Sequence, residues 1–360
     1  MVTLNTEAWA RAQQRYEAWW EGEMLDRPIV QVTAPKDPEA RGDEPPADEG
    51  AHLDWHTDPG KVIPRLERQV EGTYWGGDAF PLFFPVSLNL VAIEAAYLGS
   101  PYRLISESGT AWSEPIIDDW EDPPSLAVDP DNFWWCTTQR LLALAAERSE
   151  GRYCVGIPDL QGGGQIAVML RGTERTALDL FDHPKQVKML VKAVNEAWLY
   201  YFESCFEIIH LFMEGYVDWL GVWSEIPAVT VECDFSALIS PGMFNEFFLP
   251  ALEQQIEWIE RTIYHLDGPG QLVHLDTLSS LAKLDGIQWV PAKDKMSDWI
   301  PLLQQIQDAG KLLVLGCKPW EVKHLLTELK PEGVLLSTSC SSVEEAKGLV
   351  EDVERMFSHS

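Results

Sequence analysis

Tyr264-His265-Leu266-Asp267-Gly268-Pro269-Gly270 is an apolar run that ends in ligand-capable side chains and a Gly-Pro-Gly turn. Residues two apart on a strand share a face, so as the end of a strand this segment sends His265 and Asp267 the same way. The last apolar run of the chain, Gly333-Val334-Leu335-Leu336, leads in the same manner into Ser337-Thr338-Ser339-Cys340. If both runs are strands of one parallel barrel, His265, Asp267 and Cys340 reach a common rim. A His, an Asp and a Cys meeting there could hold Zn²⁺ with one position open.

The rhythm around these runs supports that arrangement. Short apolar stretches at 153–158, 218–222, 229–233, 262–266, 286–290, 311–315 and 333–336 read as strands. Helical patterns over 132–150, 184–214, 241–261, 270–282, 297–309 and 320–328 alternate with them. Gly162-Gly163-Gly164 reads as a turn before a short helix, and Ser342-Val343-Glu344-Glu345 as a capping box opening the final one. Upstream, residues 7–23 read as an amphipathic helix with a heavy aromatic face, stopped at Arg27-Pro28 before a strand at 29–32. Residues 35–60 form a long acidic loop, a lid or a disordered insert. A helix follows over 61–75, and 113–132 is irregular. Strands alternating with helices predict an α/β fold: a (β/α)8 TIM barrel with an N-terminal helical extension. One domain spans 1–360, with 1–60 as extension and acidic loop. A doubly wound open sheet is the alternative, weakened by the lack of a GxGxxG.

Composition limits the partners. The 360 residues carry 57 Asp+Glu against 27 Lys+Arg, a formal charge of −30. Such a surface repels phosphate backbones and anionic lipid, which excludes nucleic acid and membrane surfaces as natural partners. The start has neither a basic n-region nor an apolar h-region, and no apolar run nears the ~20 residues of a membrane helix. The six cysteines form no CxxC and read as reduced thiols of a cytoplasmic protein. Nothing in the sequence fixes the oligomeric state.

Chemistry in a barrel sits where strands end. The residues expected there are Asp159, Trp223-Ser224-Glu225, Glu232-Cys233-Asp234, His265-Leu266-Asp267, Gln288-Trp289, Cys317-Lys318 and Cys340. Glu232 and Asp234 are the candidate catalytic groups. Asp159, Trp223, Gln288 and Trp289 are the candidate pocket. Each has a plain structural reading too: His265 bonding a loop, Cys340 as a small buried hydrophobe, Asp234 capping the next turn, the tryptophans as core. The second His-Leu-Asp, at 274–276, reads as helix surface.

These strand ends resemble the uroporphyrinogen decarboxylase superfamily. The likeness rests on Glu232-Cys233-Asp234-Phe235-Ser236 through Pro241-Gly242-Met243-Phe244, on Phe247-Phe248-Leu249-Pro250, on 264–270, on Leu284-Asp285-Gly286-Ile287-Gln288-Trp289-Val290-Pro291, on Arg27-Pro28 and on the tail ending in Cys340. The family fold is a (β/α)8 barrel. Its zinc-dependent branch moves methyl groups between methylated substrates or thiols and corrinoid proteins. That branch binds zinc through a His-x-Cys pair and a distant Cys, so the resemblance implies His265 and Cys340 as ligands, with Asp267 replacing the middle Cys. It implies a corrinoid supplied by a partner protein and a small-molecule substrate. The decarboxylase branch uses no metal and binds an acidic tetrapyrrole through a dense basic N-terminal segment, which Arg11, Arg15 and Arg27 do not reproduce. A metal-free decarboxylase and a non-catalytic binding barrel are the alternative expectations.

Overall fold

The computed structural model describes residues 4–37, 39, 44–105 and 110–358. Thirteen strands occur among them. They are β1 (Ile29–Pro35), β2 (Thr73–Gly77), β3 (Leu82–Phe83), β4 (Tyr102–Ile105), β5 (Thr110–Ser113), β6 (Cys154–Val155), β7 (Tyr216–Val217), β8 (Trp223–Ser224), β9 (Ala228–Glu232), β10 (Arg261–Asp267), β11 (Gly286–Val290), β12 (Leu312–Gly316) and β13 (Val334–Ser339). The main sheet runs β2-β1-β13-β12-β11-β10-β9. All its pairings are parallel except β1 with β2. The fold is therefore α/β, and its first strand lies beside its last. Eight-fold closure is not drawn by backbone pairing: β3 and β6 form a separate parallel pair, and no ladder joins them to the sheet among the described residues.

Strand register sorts the side chains into two sets. Val30, Val32, Val231, Tyr264, Leu266, Ile287, Trp289, Leu313, Leu315 and Leu336 occupy one face and pack in the large core with the helices. The other face changes character along its length. At the strand starts it is apolar, with Ile29, Ala228, Ile263, Leu312, Val314 and Leu335 in a second buried cluster. At the strand ends it is polar: Gln31, Thr33, Glu232, His265, Asp267, Gln288, Ser337 and Ser339.

The first helix, Glu7–Trp20, covers the apolar end. Thr6 caps it by accepting from Trp9 N at 3.0 Å, and Ala12, Tyr16, Trp19 and Trp20 are its buried face. Burying a large apolar side chain is worth roughly 1.5–3 kcal/mol, so this face holds the helix in place. Polar contacts fix its register. Arg261 at the start of β10 donates to both carboxylate oxygens of Glu17 at 2.8 Å, and Trp20 Nε1 donates to Trp223 O at 3.0 Å. Asp78, fully buried after β2, accepts from Arg15 at 2.8 Å, from Arg27, and from Val30 N at 2.9 Å. Arg27 thus serves the strand-start end.

Several expected boundaries move. Residues 35–60 are not one loop: Asp48 accepts from Ala51 N at 2.9 Å and caps a helix over Glu49–Thr57. Residues 38 and 40–43 of that stretch, and the first three residues of the chain, lie outside the described residues. Residues 218–222 are the turn between β7 and β8 rather than a strand, with Asp218 accepting from Leu220 N at 3.1 Å. The three glycines at 162–164 open the helix Gly162–Arg171 itself. A Cβ on Gly163 would sit 2.6 Å from Asn195 Cβ and 2.9 Å from Val191 O, so glycine there permits close contact with the helix Pro184–His210.

Asp78→Ala leaves the buried Arg27 without its counter-charge and the partly buried Arg15 with Asp26 alone, and is expected to cost about 3–5 kcal/mol, on the order typical of a broken buried pair. Asp26→Ala, which removes a half-exposed partner of the same Arg15, should cost no more than about 1 kcal/mol. Urea denaturation of the two variants checks the ranking.

Candidate metal centre

β9 and β10 set Glu232 opposite His265, and Asp267 follows two residues on. Asp234 begins the 3-10 turn Asp234–Leu238 directly after β9. One ligand-capable atom from each of Asp234, His265 and Asp267 comes within 4.8 Å of the others. The surrounding groups orient these side chains. His265 Nδ1 hydrogen-bonds Gln288 Oε1, its register partner on β11. Nδ1 then carries the proton and Nε2 keeps its lone pair for a ligand bond. Trp219 meets the His265 ring edge-on at 5.2 Å. Gln271, buried in the 3-10 turn Pro269–His274, donates to Asp234 Oδ1 at 3.1 Å and accepts from Tyr264 OH at 3.4 Å.

The electrostatics are those of acids without cations. Burial pushes the Asp159 carboxyl up to about 7, and the charges of Asp234 and Asp218 add to it. Burial likewise takes Asp218 to about 6. Glu232 is pushed well above the usual carboxylate range by burial, then by Asp159 and Asp234. Burial raises Asp234 as well, against the opposing charge of His265. Glu94 is fully buried and rises to about 8, although Gly162 N donates to it at 3.2 Å. No Lys or Arg forms an ion pair with any of these carboxylates among the described residues. Asp159 Oδ1, Glu232 Oε1, Glu94 Oε1 and Gln161 Oε1 are buried acceptor atoms without a hydrogen-bond partner.

The expected site residues part company here. His265, Asp267, Gln288, Glu232 and Asp234 share the strand-end region, and Asp159 feels the charge of Asp234. Cys340 does not join the group of three. It is buried just past β13, its backbone N–H donates to Thr33 O at 2.8 Å, and burial raises its thiol. Trp289 lies on the helix-facing side of β11 and packs edge-on to Trp299 at 4.9 Å. Trp223 sits at the strand-start end, edge-on to Trp9 at 5.7 Å in the cluster beneath the sheet. Neither tryptophan faces the strand-end site. His274, expected on the surface, is fully buried, and its Nε2 is 2.9 Å from Ser236 O, which ties down the turn that Asp234 begins. Sequence reasoning missed Trp219, Gln271, Gln161 and Glu94, and it missed Asp234 as a metal-ligand candidate. A separate cleft of about 1060 Å³ opens among the ends of β1 and β13, β3 and the helix Pro59–Gly72, with Thr33, Trp55, Arg65, Phe83 and Ser339 in its lining. None of the three gathered residues borders it.

No protein-family model matches the chain, and no curated protein matches its sequence. Among solved structures it is similar to a methyltransferase from Methanosarcina mazei, with a TM-score of 0.65 and 14% identity. The likeness covers 96% of this chain and 99% of that one. At that identity the shared feature is the fold. No helix among the described residues is long and apolar enough to cross a membrane.

Glu94 gives a pH test. Its folded-state value of about 8 lies above the ordinary 4.5, so the protonated form favours the folded state. That advantage is complete below pH 4.5 and is lost as pH rises through 8. Glu94→Gln, which keeps the neutral shape, should be more stable than the parent at pH 9 by roughly 4 kcal/mol and nearly equal to it at pH 4. Denaturant titrations at the two pH values measure the difference. A constant gap would mean that Glu94 is not buried in this manner.

Proposed function

We propose that the chain is a methyltransferase-like enzyme that assists methyl transfer with a divalent cation, zinc by the resemblance of its strand ends. The two parallel ladders are read as one (β/α)8 barrel acting as a single domain. The observation that carries the proposal is the convergence of Asp234, His265 and Asp267 at the strand ends. Two carboxylate oxygens and an imidazole nitrogen are a donor set suited to zinc and to harder first-row metals. Asp234 takes the place first assigned to Cys340, and Gln288 and Gln271 hold the ligands in position. The bound cation supplies Lewis acidity toward an acceptor or a leaving atom. Asp159, raised by burial to about 7, and Glu232, raised by burial in the same direction, can hand a proton to the departing atom or hold the substrate's polar end. The methyl group passes between a small methylated substrate or thiol and a corrinoid carried by a separate protein.

The metal-free decarboxylase reading fits the site less well. A substrate carrying carboxylates would meet Asp159, Glu232, Asp234 and Asp267 with no Lys or Arg ion-paired to them among the described residues and His265 as the basic side chain in the group, an arrangement that disfavours it.

Elemental analysis after dialysis against zinc and desalting tests the centre. The parent should retain about one zinc per chain, and His265→Ala and Asp234→Asn should fall at least tenfold with circular dichroism unchanged. Cys340→Ser should keep its metal. Equal zinc in the parent and His265→Ala refutes the assignment.

A further inference from the structure

The helix Pro184–His210 is 27 residues long and packs one face in the large core. Its opposite face is a stripe in solvent. Lys185, Met189, Lys192, Glu196, Glu203 and Glu207 recur along it at steps of one or two helical turns, and all are exposed. The stripe changes sign midway, with its lysines in the first half and its glutamates in the second. Met189 stands among the lysines, 71% exposed.

The acidic half borders a groove of about 940 Å³ between this helix, β7 and the helix Leu249–Trp258. Phe206, Leu211, Tyr216 and Trp258 give it an apolar lining, with Leu211 76% and Trp258 38% exposed. Glu203, Glu207 and Glu260 line it too, and no Lys or Arg does among the described residues. An apolar groove rimmed by carboxylates fits an apolar side chain flanked by cations. Met189 with Lys188 and Lys192 is such a group, and it lies on the same helix, too far along to fold back into the groove.

A second copy turned end for end brings it there. When two such helices pair antiparallel about a two-fold axis between Ala197 and Trp198, Lys192 of each copy falls opposite Glu203 of the other. Lys188 then falls opposite Glu207, and Met189 opposite Phe206 at the groove. A two-fold interface needs this self-complementarity, each residue meeting a partner that meets it in return. We infer that the helix Pro184–His210 forms the centre of a homodimer, with Met189 of each copy seated in the groove of the other. Lys188 already bonds Glu246 at 2.7 Å and Lys192 lies 3.7 Å from Glu196, so each lysine comes to bridge two carboxylates. Exposed ion pairs are weak, so they set the register while the covered apolar side chains hold the copies together. The charge of −30 on each copy opposes association, but charges spread over the two surfaces are screened beyond about 8 Å at physiological salt, and the facing pairs are closer than that. A basic segment of another protein would fill the groove and leave the stripe's lysines and Met189 uncovered. The groove residues Pro227 and Glu260 directly precede β9 and β10, so the contact lies at the strand starts and leaves the strand-end site open in both copies.

Sedimentation equilibrium of the full-length protein tests the interface. The parent should be a dimer. Lys192→Glu and Glu203→Lys should each weaken it at least tenfold with circular dichroism unchanged, and the variant carrying both should regain parental affinity, because residue 192 of one copy faces 203 of the other. Met189→Asp, at an exposed position that folding does not depend on, should also weaken it at least tenfold. Zinc content should be parental in all of these variants, since none touches Asp234, His265 or Asp267. A parent that stays monomeric throughout the concentration range overturns the inference, and so does a dimer that none of the three single substitutions weakens. A double variant no tighter than the single ones overturns it as well.

Discussion

Asp78 has no exposed surface, and its carboxylate accepts from two arginines and from the backbone of Val30. Through Arg15 it holds the first helix, through Arg27 the approach to β1, and through Val30 the strand itself. Once the helix Glu7–Trp20 is fixed there, Tyr16 and Trp20 cover the apolar side chains at the strand starts. Glu17 on Arg261 pins the same helix to β10. The helix thereby covers the apolar, strand-start end of one sheet face and leaves the strand-end part of that face to other elements. That is where its residues become polar.

Strand alternation explains which side-chain placements were legible in the sequence. His265 and Asp267 were legible because a two-residue spacing on a seven-residue strand fixes their face without tertiary information. The same rule separates Gln288 from Trp289. Adjacent residues on β11 cannot both face the site, and Gln288 is the one in register with His265. Trp223 followed no such rule. It lies in a two-residue strand of a tight hairpin, too short to show a period, and its position depends on a helix more than two hundred residues upstream.

The third member of the candidate metal group was visible as a residue and not as a ligand candidate. Asp234 follows a strand and opens a turn, a pattern that a capping aspartate produces equally well. What separates the two roles is long-range: Gln271, 37 residues on, donates to its carboxylate, and His274 holds Ser236 in the same turn. Cys340 stands outside the gathered group for a related reason. Ending a strand of the right sheet places a residue near the rim, but the backbone bond from Cys340 to Thr33 continues the β1–β13 ladder, and the thiol is not among the ligand atoms gathered within 4.8 Å. The triple glycine was likewise read as a turn because its cause, contact with Asn195 and Val191, belongs to another helix.

The formal charge of −30 and the acidic site are separate facts. Surface carboxylates in water interact weakly beyond about 8–10 Å at physiological salt, so the acidic exterior contributes little to the potential at Asp159 or Glu232. The site's character comes from burial, which raises Glu94, Asp159 and Glu232 together because none has a cation to face. Natural interiors avoid such groups or pair them. Here the acceptors stay unpaired while the strand starts below are packed with aliphatic and aromatic side chains, so the fold had apolar residues to place and left oxygens instead. Those oxygens distinguish the β9–β10 part of the strand-end region from the cleft beside β1, where Arg65 lines the wall.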